Sequence, residues 1–138
     1  MSFVLDNSVA LAWCFEDEHT VGIMALLDRV TEDGAIAPQL WPIEALNGLL
    51  TAERRGRIDE VLRRRLAGFL RELPVMIDEE TASRMWTSTI RLAESQALTA
   101  YDAAYLELAL RLGVPLATQD AALIAAAQAL GVPLLPTT

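Results

Sequence analysis

The chain has 138 residues, 53% of them apolar, with a mean hydropathy of +0.30 and a formal charge of −8. That length suits one domain, and the apolar content leaves surface to spare for a partner. All 11 basic residues are Arg, so P-loop and Schiff-base chemistry, which need a Lys, are excluded, and one Cys with one His is too few for a usual zinc site.

Taken in order, Ser2–Leu5 is an apolar run that predicts a strand, ending in the acidic turn Asp6-Asn7-Ser8. Val9–Trp13 begins a helical pattern, and a second helix is predicted over Thr20–Val30, stopping at Glu32-Asp33-Gly34. Ala35–Ala37 reads as a short strand cut off by Pro38. Trp41–Ala52 reads as a helix that tolerates Pro42 in its first turn and carries Glu44 inside it. An Arg-rich segment follows, with seven Arg against four acids between Glu53 and Glu72. It breaks at Gly56 and resumes as a helix over Ile58–Leu73, with Val61, Leu62, Leu66, Phe69, Leu70 and Leu73 expected inward.

Val75–Ile77 is the third predicted strand, and Asp78 or Glu79 is the expected cap of a helix running to Ser95. From Leu98 to Leu135 one module occurs twice: an Ala/Leu-rich helix, a Gly (Gly113, Gly131), then Val-Pro-Leu entering a short apolar strand. Gly suits a left-handed helix end, and strands joined through helices are expected to be parallel and covered on both faces. The whole therefore predicts one three-layer α/β domain over 1–138, with about five short parallel strands and about seven helices. The Trp and Tyr residues recur at helical core spacing and are expected to pack.

No run approaches roughly 18 uninterrupted apolar residues, and Asp6 interrupts the first segment before any signal-peptide core. A lone Cys14 cannot form an internal disulfide, so the expected location is the cytoplasm.

In parallel sheets, functional groups gather beyond the carboxyl ends of strands where strand order reverses. If the first strand and the Val114 strand are neighbours there, Asp6 and Asp120 meet, and Glu44 and Asp102 can join from flanking helices. Each has a structural alternative. Asp6 and Asp120 can cap the helices that they precede, Asp102 fits a capping box with Thr99, and a mid-helix Glu44 can simply be solvated.

Together D-N-S, L-W-P-I-E-A-L-N-G-L-L, L-T-A-Y-D-A-A-Y-L-E-L-A and L-A-T-Q-D-A-A-L-I-A-A-A resemble the successive motifs of PIN-domain nucleases, in particular the VapC toxins of toxin–antitoxin pairs. The resemblance runs from Phe3 to Leu135. It implies that Asp6, Glu44, Asp102 and Asp120 are the acidic metal-site residues, with Ser8 as the hydroxyl beside the first and Asn47 one turn after the Glu. Many members carry a further acid or Asn after the fourth carboxylate, whereas Ala121, Ala122 and Leu123 stand here.

The chemistry has an independent rationale. Carboxylates gathered at close range raise one another's pKa, and a hard divalent cation relieves that repulsion. Mg²⁺ suits such oxygen donors, and Mn²⁺ can substitute. The expected activity is metal-dependent hydrolysis of RNA, with Asp6 and Asp120 as principal ligands. Asp102 is expected as a direct or water-mediated ligand, and Glu44 as a ligand or orienter of the attacking water. The resemblance further implies 5′-phosphate and 3′-hydroxyl products, toxicity, and a VapB-type antitoxin partner; the apolar excess suggests a homodimer.

Arg63, Arg64 and Arg65 are candidates to hold the RNA backbone or an antitoxin; the alternative is a solvated helix face with Glu/Arg pairs. Rival functions are a phosphohydrolase with a nucleophilic Asp, which by analogy wants a Lys, and a non-catalytic PIN-fold interaction module.

Overall fold

In the computed structural model, which describes residues 2–138, four strands form one parallel sheet: β1 (Val4–Leu5), β2 (Ala35–Pro38), β3 (Val75–Asp78) and β4 (Leu116–Ala117). Their order is β3-β2-β1-β4. β1 pairs with β2 through Val4 and Ile36, and with β4 through Val4–Leu116 and Leu5–Ala117. The chain steps from β1 to one side for β2 and β3, then returns to the other side for β4. The order therefore reverses between β1 and β4, where a crevice opens beyond their carboxyl ends. Phe3, Val4 and Leu5 are fully buried, as a central parallel strand covered on both faces requires.

The fifth predicted strand, Val132–Leu135, is reduced to a single bridge between Leu116 and Leu134. Leu116 N–H donates to the Pro133 carbonyl and Leu135 N–H to the Leu116 carbonyl, but Pro133 has no N–H and Pro136 follows, so the ladder stops there.

The helices are α1 (Asn7–Cys14), α2 (Val21–Asp33), α3 (Trp41–Arg54), α4 (Glu60–Glu72), α5 (Thr81–Arg84), α6 (Ile90–Gln96), α7 (Ala100–Leu112) and α8 (Ala121–Ala129). A π-helical turn, Met85–Thr89, joins α5 to α6. Side-chain caps start most of them: Asp6 for α1, Thr20 for α2, Asp59 for α4, Thr99 for α7 and Asp120 for α8. Gly113 ends α7 in the left-handed conformation expected of it, at φ 65°. Helix α7 is the central one. Every residue from Ala103 to Ala109 is buried, because the helix packs against β1, β2 and β4 and is flanked by α6 and α8.

Three local expectations are corrected. The inward face predicted for α4 is closed only at its later turns: Leu70 is buried and Leu66, Phe69 and Leu73 pack half-buried against the core, whereas Val61 and Leu62 in the first turn are exposed, because α4 packs chiefly on α3. Trp13, Trp41 and Tyr105 are buried, but Trp86 and Tyr101 are 81% and 61% exposed. Trp86 lies in the π turn, whose wider winding shifts the helical face away from simple spacing. The helix after β3 starts at Glu80 without a side-chain cap; Asp78 is instead bound by Arg111 and Thr81.

Candidate active site

β1 delivers Asp6 to the carboxyl edge of the sheet, and the pairing of β1 with β4 brings the segment after β4 alongside it. The two loops are joined through one carboxylate oxygen. Asp6 Oδ2 accepts from Ser8 N–H (3.3 Å), Ser8 Oγ (2.5 Å) and Thr118 Oγ1 (2.8 Å). Ser8 Oγ in turn accepts the Gln119 amide at 2.9 Å, and Thr118 Oγ1 accepts the Asp120 amide at 3.0 Å. Asp120 Oδ1 caps α8 through Leu123 N–H at 2.9 Å. Capping and site-forming are thus not alternatives for Asp6 and Asp120: each does both.

Glu44, in the first turn of α3, accepts a hydrogen bond at Oε1 from the Tyr105 hydroxyl (2.7 Å). Tyr105 lies three residues after Asp102 on α7, so one helix face presents both. Among the described residues, no hydrogen bond reaches Asp6 Oδ1, Glu44 Oε2 or Asp120 Oδ2. In each of these carboxylates one oxygen is anchored and its twin is left available.

The electrostatics place all four acids in one field. Burial pushes the Asp6 carboxyl up, against hydrogen bonds from Ser8 and Thr118, and the charge of Asp120 adds to the rise. Burial also raises Glu44, with contributions from Asp6 and Asp102. Asp102 is pushed up to about 6, first by burial, then by Asp120 and Asp6. No Arg offsets any of these three shifts.

Among the described residues, no three acidic, His or Cys side chains close into a ready-made cage around an ion. The donor set nonetheless fits Mg²⁺ or Mn²⁺. Such ions bind through one or two carboxylates while keeping several waters, and uncompensated carboxylates with free oxygens supply that requirement.

Of the other residues singled out by sequence, Ser8 is in the network, whereas Asn47 is exposed on α3. Arg63 pairs with Glu53 at 2.6 Å and Arg64 with Glu60 at 2.7 Å, while Arg65 is exposed on the same helix. Sequence reasoning passed over Tyr105 and Thr118. The one-turn spacing from Asp102 could have flagged Tyr105; nothing local marks Thr118, whose partner Asp6 is 112 residues away.

The family model described as "PIN domain" matches residues 3–129. Among solved structures, PAE2754 from Pyrobaculum aerophilum superposes with a TM-score of 0.67 at 26% identity, covering 91% of this chain and 84% of that one. FitAcB from Neisseria gonorrhoeae gives 0.68 at 16% identity, covering 99% and 98%. VapBC2 from Rickettsia felis, bound to a DNA fragment from their promoter, gives 0.65 at 13% identity, covering 97% of each chain. No curated protein matches the chain.

Proposed function

The chain belongs to the PIN-domain family, and from that premise we propose that it is a divalent-metal-dependent endoribonuclease acting as the toxin of a toxin–antitoxin pair. The observation that carries the reading is the half-anchored state of the carboxylates. Asp6, Glu44 and Asp120 each have one oxygen fixed by the protein and one left over, with Asp102 in the same field and no Arg compensating.

In this reading Asp6, Asp102 and Asp120 hold the ion. When bound, the ion supplies charge neutralisation at the phosphodiester and lowers the pKa of water. Ser8 and Thr118 hold Asp6 in one orientation, so the free oxygen needs no reorganisation on binding. Tyr105 fixes Glu44, and the raised pKa of Glu44 suits a group that orients the attacking water and takes its proton. Water adds to phosphorus, the bond to the 3′-oxygen breaks, and that oxygen leaves with a proton, giving 5′-phosphate and 3′-hydroxyl ends.

A protein partner is supported by an apolar groove of about 270 Å³ between α3 and α4, lined by Trp41, Leu46, Leu49, Leu70 and Arg71. Exposed Trp86, Ile90 and Tyr101 would serve a homodimer contact. Among the described residues, no helix is long and apolar enough to cross a membrane.

The test is cleavage of structured RNA with Mg²⁺, with Mn²⁺ and with EDTA, followed by sequencing of the cut ends. Activity that persists in EDTA would remove the mechanism. Calorimetric titration with Mn²⁺ separates the enzyme from an idle interaction module. The enzyme should show binding that Asp120→Asn abolishes; an idle site should not.

A further inference from the structure

Beside the carboxylates, a cleft of about 360 Å³ lies between α1 and the end of α3, and it differs in character from the acidic site that it adjoins. Ser8 and Gln119 form its inner end, and these are the residues whose hydroxyl and amide join the Asp6 network. Its floor is apolar, with Leu11 against Gly48. A Cβ on Gly48 would fall 2.5 Å from Leu11 Cδ1, so the Leu11 side chain lies directly on the Gly48 backbone and would have to shift to admit any larger residue. Two cations, Arg55 and Arg57, line the outer end.

The two Arg are not equivalent. Arg57 is held by Asp17 at 2.8 Å and Glu18 at 2.9 Å, and its guanidinium lies 3.8 Å from the Phe15 ring centroid, so its charge is matched and its position set. Arg55, exposed at the end of α3, has no carboxylate partner among the described residues. Arg63 and Arg64, by contrast, are paired. An unmatched cation at one end of a cleft and a metal-binding set of carboxylates at the other are what a polyanionic strand crossing an acidic protein needs. The strand is repelled by a net charge of −8 unless fixed positive points hold it on each side of the reacting bond. The volume lies within the roughly 300–1,000 Å³ of ordinary ligand pockets.

We propose that this cleft is the subsite for the ribonucleotide flanking the scissile bond, and that Arg55 holds its phosphate. The proposal rests on the nuclease reading for its substrate and names the one Arg of the seven that contacts it. Single-stranded RNA carries its phosphates outward and its bases free, so it can lay a base on the Leu11–Gly48 floor while Arg55 holds the backbone.

Binding of a fluorescein-labelled 12-nucleotide single-stranded RNA to the full chain is measured by anisotropy in excess Ca²⁺, an oxygen-ligand cation able to occupy the carboxylate end of the cleft, across a salt series. Wild type, Arg55→Ala, Arg55→Lys and Arg64→Ala are compared, with thermal melts confirming that each is folded. Arg55→Ala is expected to weaken binding about tenfold and to reduce the salt slope by about 0.7, the value for one lost phosphate contact on a single strand. Arg55→Lys should keep most of the slope, and Arg64→Ala should match wild type. Equal slopes for wild type and Arg55→Ala, or no RNA binding by wild type, overturn the subsite. Because no step requires cleavage, a wild type that binds through Arg55 but does not cut RNA would defeat the nuclease reading while keeping the cleft and Arg55 as an RNA-binding site.

Discussion

Two groups of acids occupy this molecule, and they are built on opposite principles. Asp78, at the end of β3, and Glu107, on α7, are 8% and 6% exposed, yet both face Arg111: Asp78 Oδ2 at 2.7 Å and Glu107 Oε1 at 2.8 Å, with Glu80 at 3.2 Å. Burial pushes Asp78 up, but hydrogen bonds from Arg111 and Thr81 outweigh it and hold the carboxyl below its ordinary range. In the other group Asp6 is as deeply buried while Glu44, Asp102 and Asp120 are half-buried, no Arg pairs with them, and the shifts of Asp6, Glu44 and Asp102 run upward. The first group is a closed ion cluster that staples β3 to α7. The second is left open, storing repulsion that only a cation from outside can remove. Buried charge by itself therefore does not mark a site; buried charge without a counter-ion does.

The comparison can be broken at either end. The largest effect is expected from Asp6→Asn, which should lower RNA cleavage by a factor of 10² or more, about 3 kcal/mol in barrier, without lowering the melting temperature of the metal-free protein. Unchanged cleavage accompanied by a loss of stability would show Asp6 to be a structural acid like Asp78. Arg111→Met should do the reverse. It strands the carboxylates of Asp78 and Glu107 and should cost about 3–5 kcal/mol in denaturant unfolding, while the carboxylates around Asp6 keep their own field.

The two clusters should also part with pH. A folded pKa raised to about 6 means that Asp102 opposes folding once ionised, so metal-free protein should gain stability as pH falls through 6 toward the ordinary carboxylate value of 3.8. Saturating Mg²⁺ should flatten that gain. Asp78, with a depressed folded pKa, supports folding above the ordinary carboxylate value of 3.8, and that support is lost as pH falls below it. Melts at pH 7, 5 and 3 should therefore rise and then fall; a monotonic fall in EDTA would deny the strain at Asp102. Asp102→Asn should stabilise the metal-free protein at pH 7 by on the order of 1 kcal/mol, after discounting for its partial exposure. Of similar or smaller size, Tyr105→Phe should cost about 1 kcal/mol of stability. It should also slow cleavage several-fold, as Glu44 loses its anchor; a change in stability alone would confine Tyr105 to packing.

Much of this was legible without coordinates because it is local. Alternation of apolar runs with Ala/Leu helices gave the parallel α/β class, and Thr99 and Gly113 mark both ends of α7. Asp6 and Asp120 sit where a strand ends and a helix begins, which is both a cap position and the place where parallel sheets keep their chemistry. The errors fell where the deciding partner is remote or missing. Spacing on α4 shows an apolar face but not that α3 would be its main cover, leaving the first turn exposed. Spacing near Trp86 assumed an α-helical period where the chain takes a π turn. Asp78 looked like a cap because its real partner, Arg111, is 33 residues away.

The amino-acid order by itself determined the class of fold, the helix ends and the four acids worth watching, since propensity, capping and periodicity act over a few residues. Only the tertiary structure decided which acids would share a field and which would meet an Arg. Strand order placed β4 beside β1 and carried Thr118 to Asp6, and the burial of α7 over the sheet carried the Tyr105 hydroxyl to Glu44 on α3. Charge–charge energies depend on distance and on burial, and neither is written in the spacing of residues along a chain.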